Sequence, residues 1–262
     1  GSKNSCPGWG TCCKKKLLTG QDPVSHHRFM PSQYQIKTYT ENGYYHVYNR
    51  GVEKRDIFVD DQDYRVFLSF LKSYLSPEIL WVKPYHPIEE ATGSRPVRIR
   101  PLKTFFGEVS LLAYCLMPNH FHLLLWQSSM DGMTRFMQSF CTSYSMYFNK
   151  KYKRVGTLFQ GPYKAVSVYD DIYLLHLTRY IHLNPLEFEV TGSCPVKVSE
   201  YPYSSYSYYL GKKQAEWLHP QPVLDFFRTN KRTSLRDFLS YESFVEDFAD
   251  DSRLIVGKLT IE

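Results

Sequence analysis

His120 and His122 flank Phe121 within Leu111 to Gln127, LLAYCLMPNHFHLLLWQ, and this spacing is where the chain first offers chemistry. Two apolar runs meet at Pro118-Asn119, the pattern of a strand, a tight turn and a second strand. Side chains alternate faces along a strand, so His120 and His122 project together while Phe121, Leu123 and Leu125 point the other way. Two neutral imidazoles held on a rigid strand form half a site for a divalent metal. The same spacing also fits two histidines on a half-solvated face, and only further ligands distinguish the two.

A second group lies downstream. His176, Tyr180 and Asn184 recur every four residues before Pro185 and would rise in one column on a helix. A phenol is a weak nucleophile at its free pKa of about 10, but a neighbouring cation or base activates it for covalent catalysis. If this helix lies across the His strand, Tyr180 faces the metal and the Asn184 amide oxygen can serve as a third ligand. Each residue has a plainer use. The chain has 22 tyrosines, most of which must pack rather than react, and Asn184 before Pro185 fits a helix terminator.

The elements that must position these residues follow from periodicity. Tyr44 to Asn49, YYHVYN, is aromatic and β-branched and reads as the first strand, with His46 on it. Asp60 to Leu75 repeats apolar residues at helical spacing behind an acidic first turn. Strands follow over Phe105 to Met117 and His120 to Gln127. A helix from Thr134 to Tyr152 buries Met137, Phe140, Tyr144, Tyr147 and Phe148, and Tyr163 to Val168 reads as a fourth strand. A third helix runs from Asp170-Asp171 to Asn184. The order β-α-β-β-α-β predicts an α+β, ferredoxin-like sandwich with an antiparallel sheet, helices on one face and the other face available to a ligand. The third helix is an addition to it, and short helices within 204–210, 223–227 and 235–248 form a helical C-terminal extension.

Three domain segments result. Residues 1–42, rich in Cys, Gly, Pro and Ser with a Lys14-Lys15-Lys16 run, lack sustained periodicity and read as an arm that can stay partly disordered. Residues 43–190 form the main domain, interrupted by a proline- and cation-rich insertion over 76–103. Residues 191–262 pack on it as the extension.

Composition narrows the partners. Net charge is +6, from 32 Lys and Arg against 26 Asp and Glu, and 16% of residues are aromatic. Cations that meet phosphates and rings that stack on unpaired bases suit single-stranded nucleic acid. Lys150, Lys151, Lys153 and Arg154 cluster around Tyr152, though cations also suit a helix C-terminus. Arg50 and Lys164 complete the candidate nucleic-acid contacts. The six cysteines have neither the pairing of a disulfide framework nor C-x-x-C spacing, so reduced, incidental thiols are expected. No apolar run approaches the ~20 residues of a membrane span, and a soluble intracellular protein is expected.

The motifs HVYNRG (46–51), AYCLMPNHFH (113–122), GTLFQG (156–161) and RYIHLNP (179–185), with YPYSSY (201–206), resemble the REP-associated tyrosine transposases of the HUH superfamily of single-strand DNA endonucleases and transposases. The resemblance runs from Tyr44 to Leu210. It implies that His120 and His122 are metal ligands, that Asn184 completes the metal site and that Tyr180 is the nucleophile. Tyr180 would form a 5′-phosphotyrosyl link and free a 3′-OH on single-stranded DNA bearing REP-like hairpins, with Mg²⁺ or Mn²⁺ as cofactor. It further implies a prokaryotic, cytoplasmic, nucleoid-associated protein. The arm and the 76–103 insertion depart from the family pattern, and Pro162 stands where many relatives carry Arg. Monomer and homodimer both stay open. So do two other classes: a catalytically silent single-strand binding module using the open sheet face, and a zinc hydrolase, which would lack a Glu or Asp base beside the His pair.

Overall fold

The computed structural model describes residues 39–77, 103–187, 198–228 and 240–246. The N-terminal arm up to residue 38, most of the 76–103 insertion and parts of the expected 235–248 helix lie outside the described residues.

Four strands form one antiparallel sheet: β1 (Gly43–Arg50), β2 (Val109–Met117), β3 (His120–Gln127) and β4 (Lys164–Val168), in spatial order β2-β3-β1-β4. With α1 (Asp61–Leu75) between β1 and β2 and α2 (Gly132–Lys151) between β3 and β4, this is the expected ferredoxin-like arrangement.

One sheet face presents Tyr45, Val47, Leu111, Tyr114, Leu116, Phe121, Leu123 and Leu125. Phe67 and Leu71 of α1 and Phe136, Phe140 and Tyr144 of α2 close over it as a single apolar cluster. Asp60 caps α1 in a capping box with Asp63. The Asp63 carboxylate is fully buried and takes hydrogen bonds from Tyr147 (2.9 Å), Tyr152 (2.8 Å) and Lys151 (2.7 Å), which ties the start of α1 to the end of α2.

The opposite face is not open, contrary to the sequence expectation. Helix α3 (Asp171–Glu187) crosses it and buries Leu174, Leu175, Leu177 and Ile181 against Ala113, Cys115, Met117 and Leu124. Helices α4 (Tyr206–Tyr209), α5 (Gln221–Arg228) and α6 (Tyr241–Glu246) surround it. Tyr206, Tyr209, Val223, Tyr241, Phe244 and Val245 join the same cluster. The apolar residues of the C-terminal region demand this cover, since each must leave water.

Helix α3 also corrects an expected boundary. It continues through Pro185 to Glu187 instead of ending at Asn184. Proline removes one donor and disfavours helix at the residue before it, yet Leu183, Asn184 and Pro185 are all buried against the domain, and packing holds the extra turn.

Candidate metal and nucleophile site

The register of the sheet assembles the site. Arg50 pairs with His120 and Tyr48 with His122 across β1 and β3, so these four side chains share the α3 face, and His46 sits diagonally from His122 on that face. The turn that starts β3 is clasped from β1 and its sequel: Gly51 donates to the Asn119 carbonyl oxygen (2.8 Å), and Ile57 and Phe58 both donate to that of Pro118 (2.8 and 3.0 Å). A side chain at Gly51 would place its Cβ 2.1 Å from the Arg55 carbonyl oxygen, which explains the glycine.

Both imidazoles are oriented through Nδ1. His120 Nδ1 lies 2.6 Å from Asn119 Oδ1, an acceptor, so this nitrogen carries the proton and Nε2 keeps its lone pair. His122 Nδ1 lies 2.8 Å from His46 Nε2, and His122 Nε2 is buried without a partner. Tyr180 stands over the pair, its ring edge-on to His122 at 5.6 Å and to His46 at 6.3 Å between centroids. One turn on, Asn184 spends its amide nitrogen on the Tyr180 carbonyl oxygen (3.0 Å), leaving Oδ1 buried and without a hydrogen bond. Asn184 is near enough to both imidazoles to favour their protonated forms, against the larger effect of burial.

Burial dominates the electrostatics. Desolvation lowers His46 to about 3 and His120 to about 4, Arg50 adding a smaller downward push on His120. His122 is also held low by burial, then by the two neighbouring imidazoles. All three are neutral at pH 7 and can offer nitrogen lone pairs. His122 Nε2, buried without a partner, the lone pair of His120 Nε2 and the unsatisfied Asn184 Oδ1 would make a mixed nitrogen and oxygen donor set of the kind that suits Mn²⁺ or Mg²⁺. Among the described residues no group of three or more His, Cys, Asp or Glu is placed to hold a metal, so this candidate set depends on the Asn184 amide oxygen as its third donor. His122, Asn184 and Tyr180 are buried and His120 only partly so, which puts access on the His120 side.

Other sequence candidates fall in several places. His176 leaves the column: it contacts Arg179 (2.9 Å) and packs on Phe244 of α6, because steps of four residues drift around a helix of 3.6 per turn. Arg50 flanks His120 and donates to Gln160 Oε1 (2.6 Å), and the Lys164 ammonium lies over the Tyr48 ring at 5.7 Å, both beside the site. Lys150 and Lys153 are exposed, and Arg154, partly buried, lies over the Phe148 ring at 5.7 Å, at the C-terminal end of α2. Lys151 is instead engaged by Asp60 (2.6 Å) and Asp63 (2.7 Å). His46 has no role in the sequence reading. The one available signal was its alternation with Tyr44 and Tyr48; which strand lay alongside could not be read.

Residues 106–184 match the family model described as transposase IS200 like. Over this stretch the chain resembles the IS200-like transposases. The segment contains His120, His122, Tyr180 and Asn184, whereas β1 with His46 precedes it. Among solved structures, a REP-associated tyrosine transposase bound to a REP hairpin is 15% identical, with 70% of this chain and 87% of that chain covered at a TM-score of 0.46. A candidate transposase from Deinococcus radiodurans is 13% identical, covering 58% of this chain and 95% of its own at a TM-score of 0.32. No curated protein matches the chain. Among the described residues no helix is long and apolar enough to cross a membrane.

Proposed function

We propose that this chain cuts and rejoins single-stranded DNA carrying REP-like hairpins, with Tyr180 as the covalent nucleophile. The observation that carries the reading is the convergence of Tyr180 with two buried, unpartnered atoms, His122 Nε2 and Asn184 Oδ1, and with His120 beside them, between one strand and one helix. A Mg²⁺ or Mn²⁺ ion bound there supplies charge to polarise a DNA phosphate.

Tyr180 Oη attacks phosphorus and loses its proton. The phosphorus to O3′ bond breaks, and O3′ takes up a proton, leaving a 5′-phosphotyrosyl link and a free 3′-OH. The phosphodiester energy is kept in the new link, so rejoining needs only a 3′-OH to attack it and return the phenol. Arg50, beside His120 at the accessible side, pairs with a phosphate oxygen. Lys164 and Tyr48 next to it offer a charge and a ring to the adjoining nucleotide.

The test is a labelled hairpin oligonucleotide incubated with Mn²⁺ and resolved on a denaturing gel. A protein–DNA adduct with a polymerase-extendable 3′ end is expected, and Tyr180→Phe removes it. An adduct undiminished in Tyr180→Phe overturns the assignment, and binding without any cleavage identifies a silent single-strand binder.

A further inference from the structure

His46 is a fully buried histidine outside the matched family segment, and its nearest polar partner is a candidate metal ligand. Its Nε2 lies 2.8 Å from His122 Nδ1, with the ring planes 16° apart and centroids separated by 5.0 Å. For rings so nearly parallel, that combination places the two nitrogens pointing at each other within the ring planes, as an in-plane lone pair requires. Two neutral imidazoles in this arrangement share one hydrogen, and its position decides what His122 can do. If His46 donates, His122 is protonated on Nε2 and that nitrogen cannot bind a cation. If His122 donates from Nδ1, its Nε2 lone pair is bare and buried where it meets no protein partner, and the hydrogen of His46 sits on its Nδ1, which is likewise buried without one.

We propose that His46 is a positioning residue: its Nε2 accepts the hydrogen of His122 Nδ1 and thereby fixes His122 in the tautomer whose Nε2 can take a divalent cation. The inference deepens the metal reading above and rests on it. Asn119 does the same for His120 through its Oδ1, so the two ligands are set by different neighbours, one beside its histidine in sequence and one on the adjacent strand. A ligating histidine whose other nitrogen is held by an acceptor is better oriented and more basic, and loss of such an acceptor typically weakens metal binding about 10- to 100-fold. Sheet register holds the contact: β1 is hydrogen-bonded to β3 from Gly43 to Arg50, so the acceptor costs no ordering when metal arrives.

Mn²⁺ titration by calorimetry of the full chain, its His46→Leu and His46→Gln variants, and His182→Gln as an equally buried histidine control, tests this. His46→Leu should bind Mn²⁺ about 10- to 100-fold more weakly. His46→Gln, which restores an acceptor oxygen, should recover most of that, and His182→Gln should stay within about twofold. Equal affinity in His46→Leu and wild type overturns the proposal. Nitrogen-15 NMR of histidine-labelled, metal-free wild type, with the His122 signals assigned by through-bond correlation to its backbone, decides it without relying on variants that must fold. Protonated Nδ1 and bare Nε2 on His122 support it, and the reverse overturns it. A wild type that takes up Mn²⁺ no better than His120→Ala refutes the metal reading instead, while the tautomer measurement still decides the role of His46.

Discussion

Asn184 donates its side-chain amide to the carbonyl oxygen of Tyr180 at 3.0 Å, one helical turn back, and so turns its own oxygen toward His120 and His122. The proposed nucleophile and the proposed third ligand are thereby held in register by one bond within α3. Asn184→Ala removes the oxygen and frees the Tyr180 carbonyl, and it should weaken Mn²⁺ binding and adduct formation together, each by about tenfold or more. Calorimetry and the gel assay measure the two. Adduct yield falling with unchanged Mn²⁺ affinity excludes Asn184 as a ligand.

Lys151 has a different fate from its neighbours. Its ammonium lies between Asp60 and the fully buried Asp63, so Lys151→Met leaves a carboxylate buried without its cation. Breaking a buried pair costs about 3–5 kcal/mol, and partial exposure of Lys151 points to the lower end. Urea unfolding should show a loss of about 3 kcal/mol. Lys150→Ala and Lys153→Ala should leave the urea midpoint unchanged and each reduce the salt slope of single-stranded DNA binding by about one ion. A Lys151→Met variant as stable as wild type refutes the structural role.

Local patterns made much of this legible. The alternation in β3 placed His120 and His122 on one face, and helical spacing placed Asn184 one turn beyond Tyr180. What stayed hidden depends on contacts between distant segments. The pairing of β1 with β3 brings His46 to His122 across 76 residues, and no local period reports that. Lys151 looked like its basic neighbours because its acidic partners lie on α1. The stop expected before Pro185 failed because burial outweighed a local backbone preference. The covered sheet face was hidden for a similar reason: α3 is buried on nearly every side from Leu177 to Pro185, and which segments bury it is set by the chain's path.

Buried neutral histidines should set the acid limit of stability. Burial holds His46 and His182 at about 3, against an unfolded value of about 6.5. Below 6.5 the unfolded chain binds protons that the folded chain refuses, so this stability is complete above about pH 6.5 and is lost as pH falls toward 3. By pH 5 each such histidine should cost about 2 kcal/mol, from 1.36 kcal/mol per unit. His182 bonds Tyr241 and Ser205, both at 2.7 Å, away from the proposed metal ligands. His182→Gln should therefore lower stability at pH 7 yet flatten the decline between pH 6.5 and 5 in urea titrations. A decline as steep as in wild type shows that His182 is not held neutral.

Arg50 acts on two things at once. It is the cross-strand partner of His120, its Nε is held by Gln160 Oε1 at 2.6 Å, and its charge lowers the proton affinity of His120. Replacing it with Ala should remove one phosphate contact, lowering single-stranded DNA affinity and reducing the magnitude of the salt slope by about one. It should also raise His120 from about 4, though burial, the larger cause, remains. Protons and metal compete for the same nitrogen, so the acid limb of Mn²⁺ binding should move to higher pH in Arg50→Ala and stay in place in Lys150→Ala. Arg50→Lys keeps the charge and should hold the limb near its wild-type position while losing the paired geometry of a guanidinium on phosphate, so its DNA affinity should fall between wild type and Ala. A limb that stays put in Arg50→Ala while affinity drops means that Arg50 serves the DNA alone.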